Sequence, residues 1–514
     1  MPMVPELAIA VLACSRIGAV HSVVFAGFSS TALAARINDA DCKMLVTADG
    51  SFRGSKTIDL KSIADEALAS CPSVEVSIVL KRINSNIELN DIDKWWHDEI
   101  SLASNECEAT GIDSEDPLFI LYTSGSTGKP KGMVHSCGGY MVYSEYSFKN
   151  VFQYNKGDVY WCTADIGWIT GHSYIVYGPL LSGATTVMFE GVPSFPDFGR
   201  FWEICEKHSI THFYTAPTAI RALAKHPKSF VSKYDLNSLK VLGTVGEPIN
   251  EEAWNWYNEV VGKKSCPIVD TWWQTETGGI MISSIAGVTD QKPTFATKPM
   301  IGIQPVLLDN DGQEISDSNT NGILAIKYPW PSIARTIYGD RERYKKVYFT
   351  AYPGYYFPGD GAFRDDDENY RITGRVDDVV IVSGHNLGTA PIEDAINLHE
   401  NVVESALVGF PHDVKGNALY AFVILKDDSK TENINTEIKE INSINEQLKD
   451  PNLSKAKIKN LKRLRNQLGV KIDKLSKDSQ GTRLNTLDTK VLGNIDTALN
   501  SFEFKNRKSN IRED

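Results

Sequence analysis

Short apolar runs alternate with helical patterns through the first half of the chain. The helical patterns, such as 198–208 and 219–225, place apolar residues three and four positions apart. The apolar runs predict strands: KMLVTAD (43–49), PLFILYT (117–123), TTVMFEG (185–191), THFYTAP (211–217), LKVLGTVGE (239–247) and PIVDTWW (267–273). Repetition of strand, helix and strand predicts an α/β fold with mainly parallel sheets. In such folds ligands bind at the loops that follow the carboxyl ends of strands.

The N-terminal stretch Leu7–Phe28 is strongly apolar and resembles an export signal or a membrane span in composition. It has no basic segment before it, and Arg16 and His21 interrupt it. We therefore expect a buried helix followed by a buried strand, HSVVFAGF, and no membrane association.

From about Gly302 the pattern changes to short alternating runs separated by Asp, Asn and Gly, which predicts a β-rich subdomain over 302–375. A smaller α+β piece follows over 376–426, with strands VVIVSG, ESALVGF and YAFVILKD and a helix PIEDAINLHE. In the tail, 427–514, apolar residues at helical spacing predict an amphipathic, charged helical hairpin. A partly disordered extension is the alternative for this tail.

Charge and cysteine content narrow the functional classes. The net charge of -12 and pI near 5.4 disfavour a general binder of nucleic acid or anionic membranes. The eight cysteines form no CxxC pair, which favours reduced structural thiols over disulfides or a zinc site. The expected compartment is reducing, and we place the chain in the cytoplasm.

The stretch YTSGSTGKPKG (122–132) combines glycines, hydroxyl side chains and two lysines, Lys129 and Lys131. Glycines let backbone N–H groups approach an anion, and a lysine supplies a mobile positive charge for a polyphosphate. The stretch is not a Walker A loop, because Pro130 follows Lys129 where Ser or Thr is needed. An ordinary turn would explain GSTG alone, but the longer string favours a phosphate site.

That stretch resembles the phosphate loop of the ANL adenylate-forming superfamily. Further strings resemble its acetyl-CoA synthetase family: DIGWITGHSYIVYGPL (165–180), TVGEPIN (244–250), DTWWQTETGG (270–279), PGDGAF (358–363) and ITGRVDDVVIVSGH (372–385). The resemblance runs from Pro5 to about Leu425. It implies a large adenylation domain over 1–375, built of parallel and mixed sheets flanked by helices. An incomplete small α+β domain, 376–426, and the helical tail, 427–514, would follow.

The activity implied by this resemblance is ATP-dependent ligation of acetate to coenzyme A through an acetyl-adenylate, with release of pyrophosphate and AMP. ATP, coenzyme A and Mg²⁺ are the implied cofactors, and small molecules the implied partners of a monomer or weak homo-oligomer. No general acid or base is needed, because a carboxylate is already a nucleophile at neutral pH. A truncated nucleotide-binding pseudoenzyme is the alternative, and an adenylation domain feeding a carrier protein is a weaker one.

The resemblance also implies residue roles. Asp360 would take both ribose hydroxyls, since a carboxylate offers two acceptor oxygens, and Glu276 would lie near the ATP-bound Mg²⁺. The implied catalytic residues are Lys129, Glu276, Arg375 and Asp377, the last as a hinge. The implied ATP and AMP contacts are Thr123, Ser124, Gly125, Thr127, Gly246, Glu247, Pro248, Asp270, Thr271, Trp272, Trp273, Gln274, Thr275, Asp360, Arg375 and Asn386.

For the acyl group, the resemblance implies a pocket closed by Trp273 and walled by Ile169, Thr170 and Val245. An indole there leaves room for little more than a methyl group. One extra methylene is worth roughly 1–3 kcal/mol of discrimination, so acetate is favoured and weak use of propionate is expected.

The implied coenzyme A contacts are Arg53, Lys56, Thr170, Ala216, Ser383 and Gly384. For Arg53 and Lys56, a solvated surface loop is the alternative. A cation site at Asn397, His399 and Val402 is also implied, with a surface histidine on a helix as the alternative.

The chain departs from the family pattern in several places. It begins inside the pattern, Ala26 replaces a glycine, Ser194 replaces a different type of coenzyme A contact, and Asn386 stands where an arginine is expected. No PKTRSGK-like string occurs, and GTRLNTLDTK (481–490) matches it poorly, so we assign no adenylation lysine. We therefore expect better use of pre-formed acetyl-adenylate plus coenzyme A than of acetate plus ATP.

Overall fold

A computed structural model describes residues 1–123 and 130–376, together with the backbone of four later strands. Contacts divide the chain into one unit of Met1–Asp394 with Val408–Leu419, and a second of Ala395–Leu407 with Tyr420–Asp514. All side chains discussed below belong to the first unit. The predicted helix PIEDAINLHE and the predicted helical hairpin of the tail lie outside the described residues.

A five-stranded parallel sheet, in the order β12–β11–β10–β8–β9, forms the centre of the first unit. Its strands are β8 (Val159–Cys162), β9 (Thr185–Val187), β10 (His212–Thr215), β11 (Val241–Val245) and β12 (Ile268–Thr271). Apolar runs such as VLGTV are buried on both faces, as parallel sheets between helices require. The α/β prediction is confirmed, and the carboxyl ends of β11 and β12 fall side by side.

Strand β9 is shorter than predicted from TTVMFEG. It ends at Val187, and Glu190 turns away to contact Phe52 and Arg82. As the edge strand of its sheet, β9 has a pairing partner on one side only, so a competing side-chain contact ends it early.

The N-terminal part holds a three-stranded parallel sheet and a small hairpin. The sheet has the order β1 (Met44–Ala48), β4 (Val76–Leu80) and β5 (Asp93–Trp95). The hairpin joins β2 (Ser51–Arg53) to β3 (Lys56–Ile58).

Two expectations for the N-terminal stretch are wrong. The helix α1 (Pro5–Ile17) forms, but it is only half-buried: Leu7 and Val11 pack inward while Ile9 is 52% exposed. The expected strand HSVVFAGF is a single bridge from His21 to Phe119 followed by a turn. Its apolar residues serve an aromatic cluster instead, since Phe25 and Phe28 pack on Trp168.

A three-stranded antiparallel sheet carries the predicted phosphate loop. Strand β6 (Pro117–Thr123) coincides with the predicted PLFILYT and pairs with β7 (Lys131–Ser136), which pairs in turn with β15 (Thr336–Ile337). Thr123 and Lys131 are cross-strand partners, so the loop leaves and re-enters the sheet at one point.

The predicted β-rich region forms a four-stranded antiparallel sheet of β13 (Pro305–Leu308), β14 (Thr320–Ile326), β16 (Asp360–Arg364) and β17 (Tyr370–Arg375). The β16–β17 hairpin brings Asp360 opposite Arg375. Strands β18 (Val380–Val382) and β19 (His385–Leu387) pair, and β20 (Val402–His412) and β21 (Gly416–Leu425) follow. The domain limits at 375 and 426 stay predictions.

Helices cover the sheets of the first unit. They are α2 (Ser30–Asp39), α3 (Leu60–Leu68), α4 (Trp96–Leu102), α5 (Cys137–Phe152), α6 (Ile169–Gly171), α7 (Gly178–Leu181), α8 (Arg200–Lys207), α9 (Pro217–Ala224), α10 (Ser229–Ser232), α11 (Glu251–Trp256) and α12 (Arg341–Phe349). Two π-helical segments, His172–Tyr177 and Tyr257–Val261, extend α6 and α11. Within the described residues, no helix is both long enough and apolar enough to span a membrane. All eight cysteines are free thiols, as expected.

Candidate active site

A cavity of about 280 Å³ lies where the carboxyl ends of β11 and β12 meet the β16–β17 hairpin. Its walls are Gly246, Glu247, Pro248, Asp270, Thr271, Trp272, Trp273, Gln274, Thr294, Ala296, Asp360, Ile372, Gly374 and Arg375. Ten of these fourteen residues are implied nucleotide contacts; Thr294, Ala296, Ile372 and Gly374 were missed. The structure therefore brings together segments that are more than one hundred residues apart in sequence.

Asp360 is fixed by donors from both sides of the cavity. Its Oδ2 accepts from Trp272 Nε1 (3.1 Å) and Gln274 Nε2 (2.7 Å), and Arg375 Nη1 lies 3.5 Å from Oδ1. Gln274 is held in turn by Tyr356, whose hydroxyl donates to Gln274 Oε1 (3.1 Å). The carboxylate is thus oriented before any ligand arrives, as a specific hydroxyl contact requires.

Glycine at position 359 makes this arrangement possible. Gly359 has φ +82°, and a Cβ there would lie 2.4 Å from Nη2 of Arg375. Arg375 also donates from Nη1 to the carbonyl of Pro358 (2.8 Å), so its guanidinium packs over the turn before Asp360. Any side chain at 359 would displace the guanidinium from the cavity wall.

Asp270 and Thr271 stabilise the sheet edge below the cavity. Burial raises the pKa of the Asp270 carboxyl to about 6, while the hydroxyl of Thr244 donates to its Oδ1 (2.6 Å) and opposes that rise. Thr271 Oγ1 donates to the carbonyl of Thr244 (2.8 Å). These contacts tie β12 to β11 at the ligand end of both strands.

Trp273 packs against two buried tyrosines. Its ring meets Tyr174 edge to face, with centroids 4.9 Å apart, and its Nε1 donates to the hydroxyl of Tyr214 (3.4 Å). Ile169 and Val245, two implied walls of the acyl pocket, are buried in the same hydrophobic core. Thr170, the other implied wall, lies in α6 and is half-buried. None of these three walls lines the cavity above, which only Trp273 reaches.

Glu276, the implied magnesium ligand, belongs to a hydrogen-bonded chain that the sequence did not reveal. The Lys131 ammonium donates to the Tyr348 hydroxyl (2.5 Å), the Tyr348 hydroxyl donates to Glu276 Oε1, and Lys131 Nζ also lies 3.3 Å from Oε1. Burial, with the Glu276 carboxylate beside it, raises the pKa of the Tyr348 phenol well above its usual value. Tyr348 therefore remains a donor at neutral pH.

The site fits a magnesium ion that is bound mainly by phosphate oxygens. Among the described residues no group of three or more His, Cys, Asp or Glu side chains could hold a metal. Mg²⁺ commonly takes one or two protein carboxylates and completes its shell with phosphates and water. Glu276 uses Oε1 for both contacts given above, so Oε2 is available for such an ion.

The predicted phosphate loop is only partly described. Thr123 Oγ1 is buried and has no hydrogen-bond partner among the described residues. The next residues of the loop, Ser124, Gly125, Thr127 and Lys129, lie outside the described residues. Lys131, two residues further on, is the lysine that reaches Glu276.

The carboxylate of Glu247, an implied nucleotide contact, is engaged by α9. Glu247 accepts from Thr218 N (2.7 Å) and from Arg221 Nη2 (2.8 Å). Its neighbour Gly246, at φ +98°, makes the turn at the end of β11. Glu247 therefore lines the cavity while its carboxylate binds the first turn of α9. The N-cap residue of α9 is Ala216, an implied coenzyme A contact.

Arg53 and Lys56, the implied coenzyme A cations, are directly opposed across the β2–β3 hairpin. Thr275 contributes its carbonyl to the ring of His135 at 2.8 Å and does not line the cavity. Asp377, Ser383, Gly384, Asn397 and His399 lie outside the described residues. Asn386 and Val402 lie in β19 and β20, where only the backbone is described.

Two functional candidates were missed by sequence reasoning, Lys131 and Tyr348. Lys131 carried a signal, since it stands in the phosphate-loop string beside Lys129. Tyr348 carried none, because it lies in α12, 72 residues from Glu276.

Comparison with known proteins identifies the family. Residues 1–338 match the model of the AMP-binding enzyme family, and residues 391–465 match the AMP-binding enzyme C-terminal domain. The chain is 58% identical over 431 residues to acetyl-coenzyme A synthetase 2 of Pseudomonas aeruginosa, which covers 84% of this chain and 67% of that protein. The chain belongs to the acetyl-coenzyme A synthetase family of AMP-binding enzymes.

Other members give the same result. Acetyl-coenzyme A synthetase of Magnetococcus marinus is 53% identical over 451 residues, covering 86% of this chain and 70% of that protein. That of Desulfatibacillum aliphaticivorans is 56% identical over 426 residues, covering 83% and 66%. The chain thus spans about two thirds of the length of these relatives.

A solved structure shares the fold of this chain. Acetoacetyl-CoA synthetase from Streptomyces lividans matches with a TM-score of 0.76 at 24% identity, over 84% of this chain and 66% of that one.

Proposed function

We propose that the chain ligates acetate to coenzyme A at the expense of ATP, through an acetyl-adenylate, with release of pyrophosphate and AMP. The observation that carries the proposal is the cavity at the ends of β11, β12 and the β16–β17 hairpin, walled by ten residues of the implied nucleotide site. The names of the relatives, acetyl-coenzyme A synthetases at 53–58% identity, support the same activity.

In the first half-reaction an acetate oxygen attacks the α-phosphorus of ATP, and the bond to the pyrophosphate oxygen breaks. Asp360 accepts both ribose hydroxyls and Arg375 donates to the nucleotide beside them. The phosphate loop from Thr123 to Lys131 binds the outer phosphates, with Lys129 as its second cation. The residues align the reactants and neutralise charge, and no proton transfer is needed.

Magnesium would be held by Glu276 and would offset the phosphate charge. The protein's part is to hold that carboxylate still: the Tyr348 hydroxyl and the Lys131 ammonium both contact Oε1. The edge-to-face contact with Tyr174 holds Trp273 as the end wall of an acyl pocket shared with Ile169, Thr170 and Val245. That wall favours acetate over propionate.

In the second half-reaction the thiolate of coenzyme A attacks the acyl carbon, the bond from that carbon to the AMP phosphate oxygen breaks, and AMP leaves as the thioester forms. Arg53 and Lys56 would bind the coenzyme phosphates, and Ala216 and Thr170 would line its path. Ser383 and Gly384 would contact it near the thiol, and Asp377 would act as the hinge between the two half-reactions.

The test of the proposal is acetate-dependent exchange of pyrophosphate into ATP, measured with Mg²⁺ on the purified chain. Exchange that requires acetate and, at ATP concentrations below saturation, is about tenfold slower in Asp360→Asn supports adenylation at this cavity. As a matched control, Asp197→Asn removes a carboxylate that pairs with Lys233 on the surface and should retain exchange. ATP binding without any exchange would contradict the proposal.

A nucleotide-binding pseudoenzyme is the second candidate, favoured by Asn386 and by the lack of a PKTRSGK-like string. The two candidates differ in the half-reactions. If only adenylation is impaired, the chain should convert synthetic acetyl-adenylate and coenzyme A to acetyl-CoA faster than it converts acetate and ATP. Equal rates would contradict the impairment, and no product from either pair would support the pseudoenzyme.

Three further assignments belong to this proposal. The free thiols favour a reducing compartment, which we take to be the cytoplasm. A monomer or weak homo-oligomer is expected. The cation site at Asn397, His399 and Val402 is the least supported assignment and would be tested by the effect of monovalent cations on the exchange rate.

A further inference from the structure

The β2–β3 hairpin holds two like charges where a hairpin least tolerates them. Arg53 and Lys56 close the two-residue turn Gly54–Ser55 and are direct cross-strand partners. Like charges in that position destabilise an antiparallel pair. Arg53 lies 5.9 Å from the ring centroid of Phe25, and its charge acts on the carboxylate of Asp165, whose pKa it lowers against the larger rise caused by burial. An anion bound between the two cations would relieve their repulsion.

The hairpin is fastened from outside by an acid–base pair, Glu190 and Arg82, which we call the Glu190–Arg82 bracket. Glu190 Oε1 accepts from the backbone N–H of Phe52 (2.9 Å), the residue before Arg53. Glu190 Oε2 accepts from Arg82 Nε (2.8 Å) and Nη2 (2.5 Å). The Arg82 guanidinium also lies 5.1 Å from the ring centroid of Phe52. The bracket therefore fixes both the backbone and the side chain of Phe52.

The bracket is anchored at its other end by Asp49, which is fully buried. Asp49 Oδ1 accepts from the backbone N–H groups of Arg82 (2.7 Å) and Ile83 (2.9 Å), and Oδ2 accepts from Ser85 N (3.1 Å). Packing is tight here too, since a Cβ at Gly50 would lie 2.3 Å from Ile83 Cδ1. Arg82 thus has a fixed backbone from which its guanidinium reaches Glu190.

We infer that Glu190 and Arg82 are positioning residues for the anion site formed by Arg53 and Lys56, to which the proposed function assigns the phosphates of coenzyme A. The inference rests on the proposed function and deepens it. Neither bracket residue touches the ligand. The bracket holds the hairpin so that the two cations can bind one phosphate group together, against their mutual repulsion.

Two variants with opposite changes in charge distinguish a positioning role of the bracket from a direct electrostatic effect on coenzyme A affinity. Glu190→Gln removes one negative charge near the anion site, and Arg82→Gln removes one positive charge. If the bracket acted only through its field, the first variant would bind coenzyme A more tightly and the second less tightly. If the bracket positions the hairpin, both variants lose affinity.

The experiment measures dissociation constants for coenzyme A and for ATP by calorimetry on the full chain. We expect both variants to bind coenzyme A about tenfold more weakly, the loss of one charge-assisted contact. ATP affinity should stay within about twofold, because the bracket lies outside the nucleotide cavity. Glu259→Gln is the control: it breaks another glutamate ion pair, Lys264 Nζ to Glu259 Oε1 at 2.8 Å, in the segment that follows α11.

A kinetic arm excludes a general structural effect. Thioester formation from synthetic acetyl-adenylate is measured with coenzyme A and with pantetheine, which carries the thiol but no phosphate. We expect the variants to raise KM for coenzyme A and to leave the pantetheine rate at the wild-type value. Equal losses with both thiols would overturn the inference.

The remaining outcomes are also decisive. Opposite shifts in the two variants, or unchanged affinity in both, would overturn the positioning role while leaving the proposed function intact. If the wild-type chain binds ATP but not coenzyme A, the coenzyme half of the proposed function fails and this inference fails with it.

Discussion

Three histidines buried beside the active site should make the fold acid-labile. His21, His135 and His172 stack around the ring of Phe119, with centroids 4.8 to 5.5 Å from it. Burial lowers the pKa of His135 to about 4 and that of His172 to about 4, and lowers that of His21 as well. His135 Nδ1 and His172 Nε2 have no hydrogen-bond partner in the described chain, so a second proton on either ring would be buried unpaired.

The direction of the pH effect follows from where protons bind. An unfolded histidine titrates near pH 6.5. Between pH 6.5 and 4, His135 and His172 therefore bind protons in the unfolded chain but stay neutral in the folded one. Their contribution to stability is therefore complete above pH 6.5 and is lost as the pH falls towards 4. Linkage gives a loss of about 2 kcal/mol for each histidine between pH 7 and pH 5, about 4 kcal/mol together.

Asp270 opposes part of this loss. Burial raises its pKa to about 6, so folded Asp270 takes up a proton before the unfolded residue does and stabilises the fold as the pH falls. The same linkage makes this gain about 1 kcal/mol between pH 7 and pH 5. For His135, His172 and Asp270 together the expectation is a loss of about 2–3 kcal/mol from a stability that is typically 5–15 kcal/mol.

The assay is urea unfolding at pH 7 and pH 5, followed by tryptophan fluorescence. His172→Asn is the informative variant, because its amide can replace Nδ1 near the Trp168 carbonyl at 3.1 Å and does not titrate. The difference in unfolding free energy between the two pH values should shrink by about 2 kcal/mol relative to wild type. His97→Asn, at an exposed position, should leave the difference unchanged. An equal pH dependence for wild type and His172→Asn would refute the reasoning.

Three substitutions test the active site directly. Tyr348→Phe removes the hydroxyl that contacts Glu276 and Lys131. It should slow pyrophosphate exchange about tenfold, since hydrogen bonds to charged groups are worth roughly 1.5–3 kcal/mol. A wild-type exchange rate would contradict this role of Tyr348. Asp360→Asn removes one of the two carboxylate acceptors and should weaken ATP binding about tenfold by calorimetry. Unchanged affinity would remove Asp360 from the ribose site. Trp273→Gly should shift the exchange reaction from acetate towards longer acids, and a retained preference for acetate would show that another side chain sets acyl length.

Sequence reasoning succeeded where a contact is encoded locally. The run PLFILYT predicts β6 to the residue because seven apolar or β-prone positions are followed at once by glycine and serine. Strands β11 and β12 run parallel, so Gly246, just after β11, and Asp270, within β12, lie at one edge of the sheet. The ten cavity walls named from the sequence came from the resemblance to the acetyl-CoA synthetase family, and their roles stay predictions.

Sequence reasoning failed where a side chain that is distant in sequence determines the local structure. Strand β9 stops at Val187 because Glu190 is drawn to Arg82, 108 residues earlier. The run HSVVFAGF is continuously apolar, like a buried strand, but its Phe25 and Phe28 pack on Trp168 instead. Tyr348 reaches Glu276 only after α12 packs on the antiparallel strands, and no local pattern announces that meeting.

The way Asp360 is held has a consequence for folding. Its partner Arg375 is 15 residues away within one hairpin, whereas Trp272 and Gln274 are 88 and 86 residues away, just past the end of β12. The contact within the hairpin forms at a small cost in chain entropy, because its two residues are close in sequence. The pocket exists only after the two sheets dock. By mass action, AMP at a hundred times its dissociation constant would then add about 2.7 kcal/mol to the docked arrangement alone. The bound nucleotide would hold the two separately formed sheets together. A rise in the thermal midpoint with AMP would report that the sheets have docked.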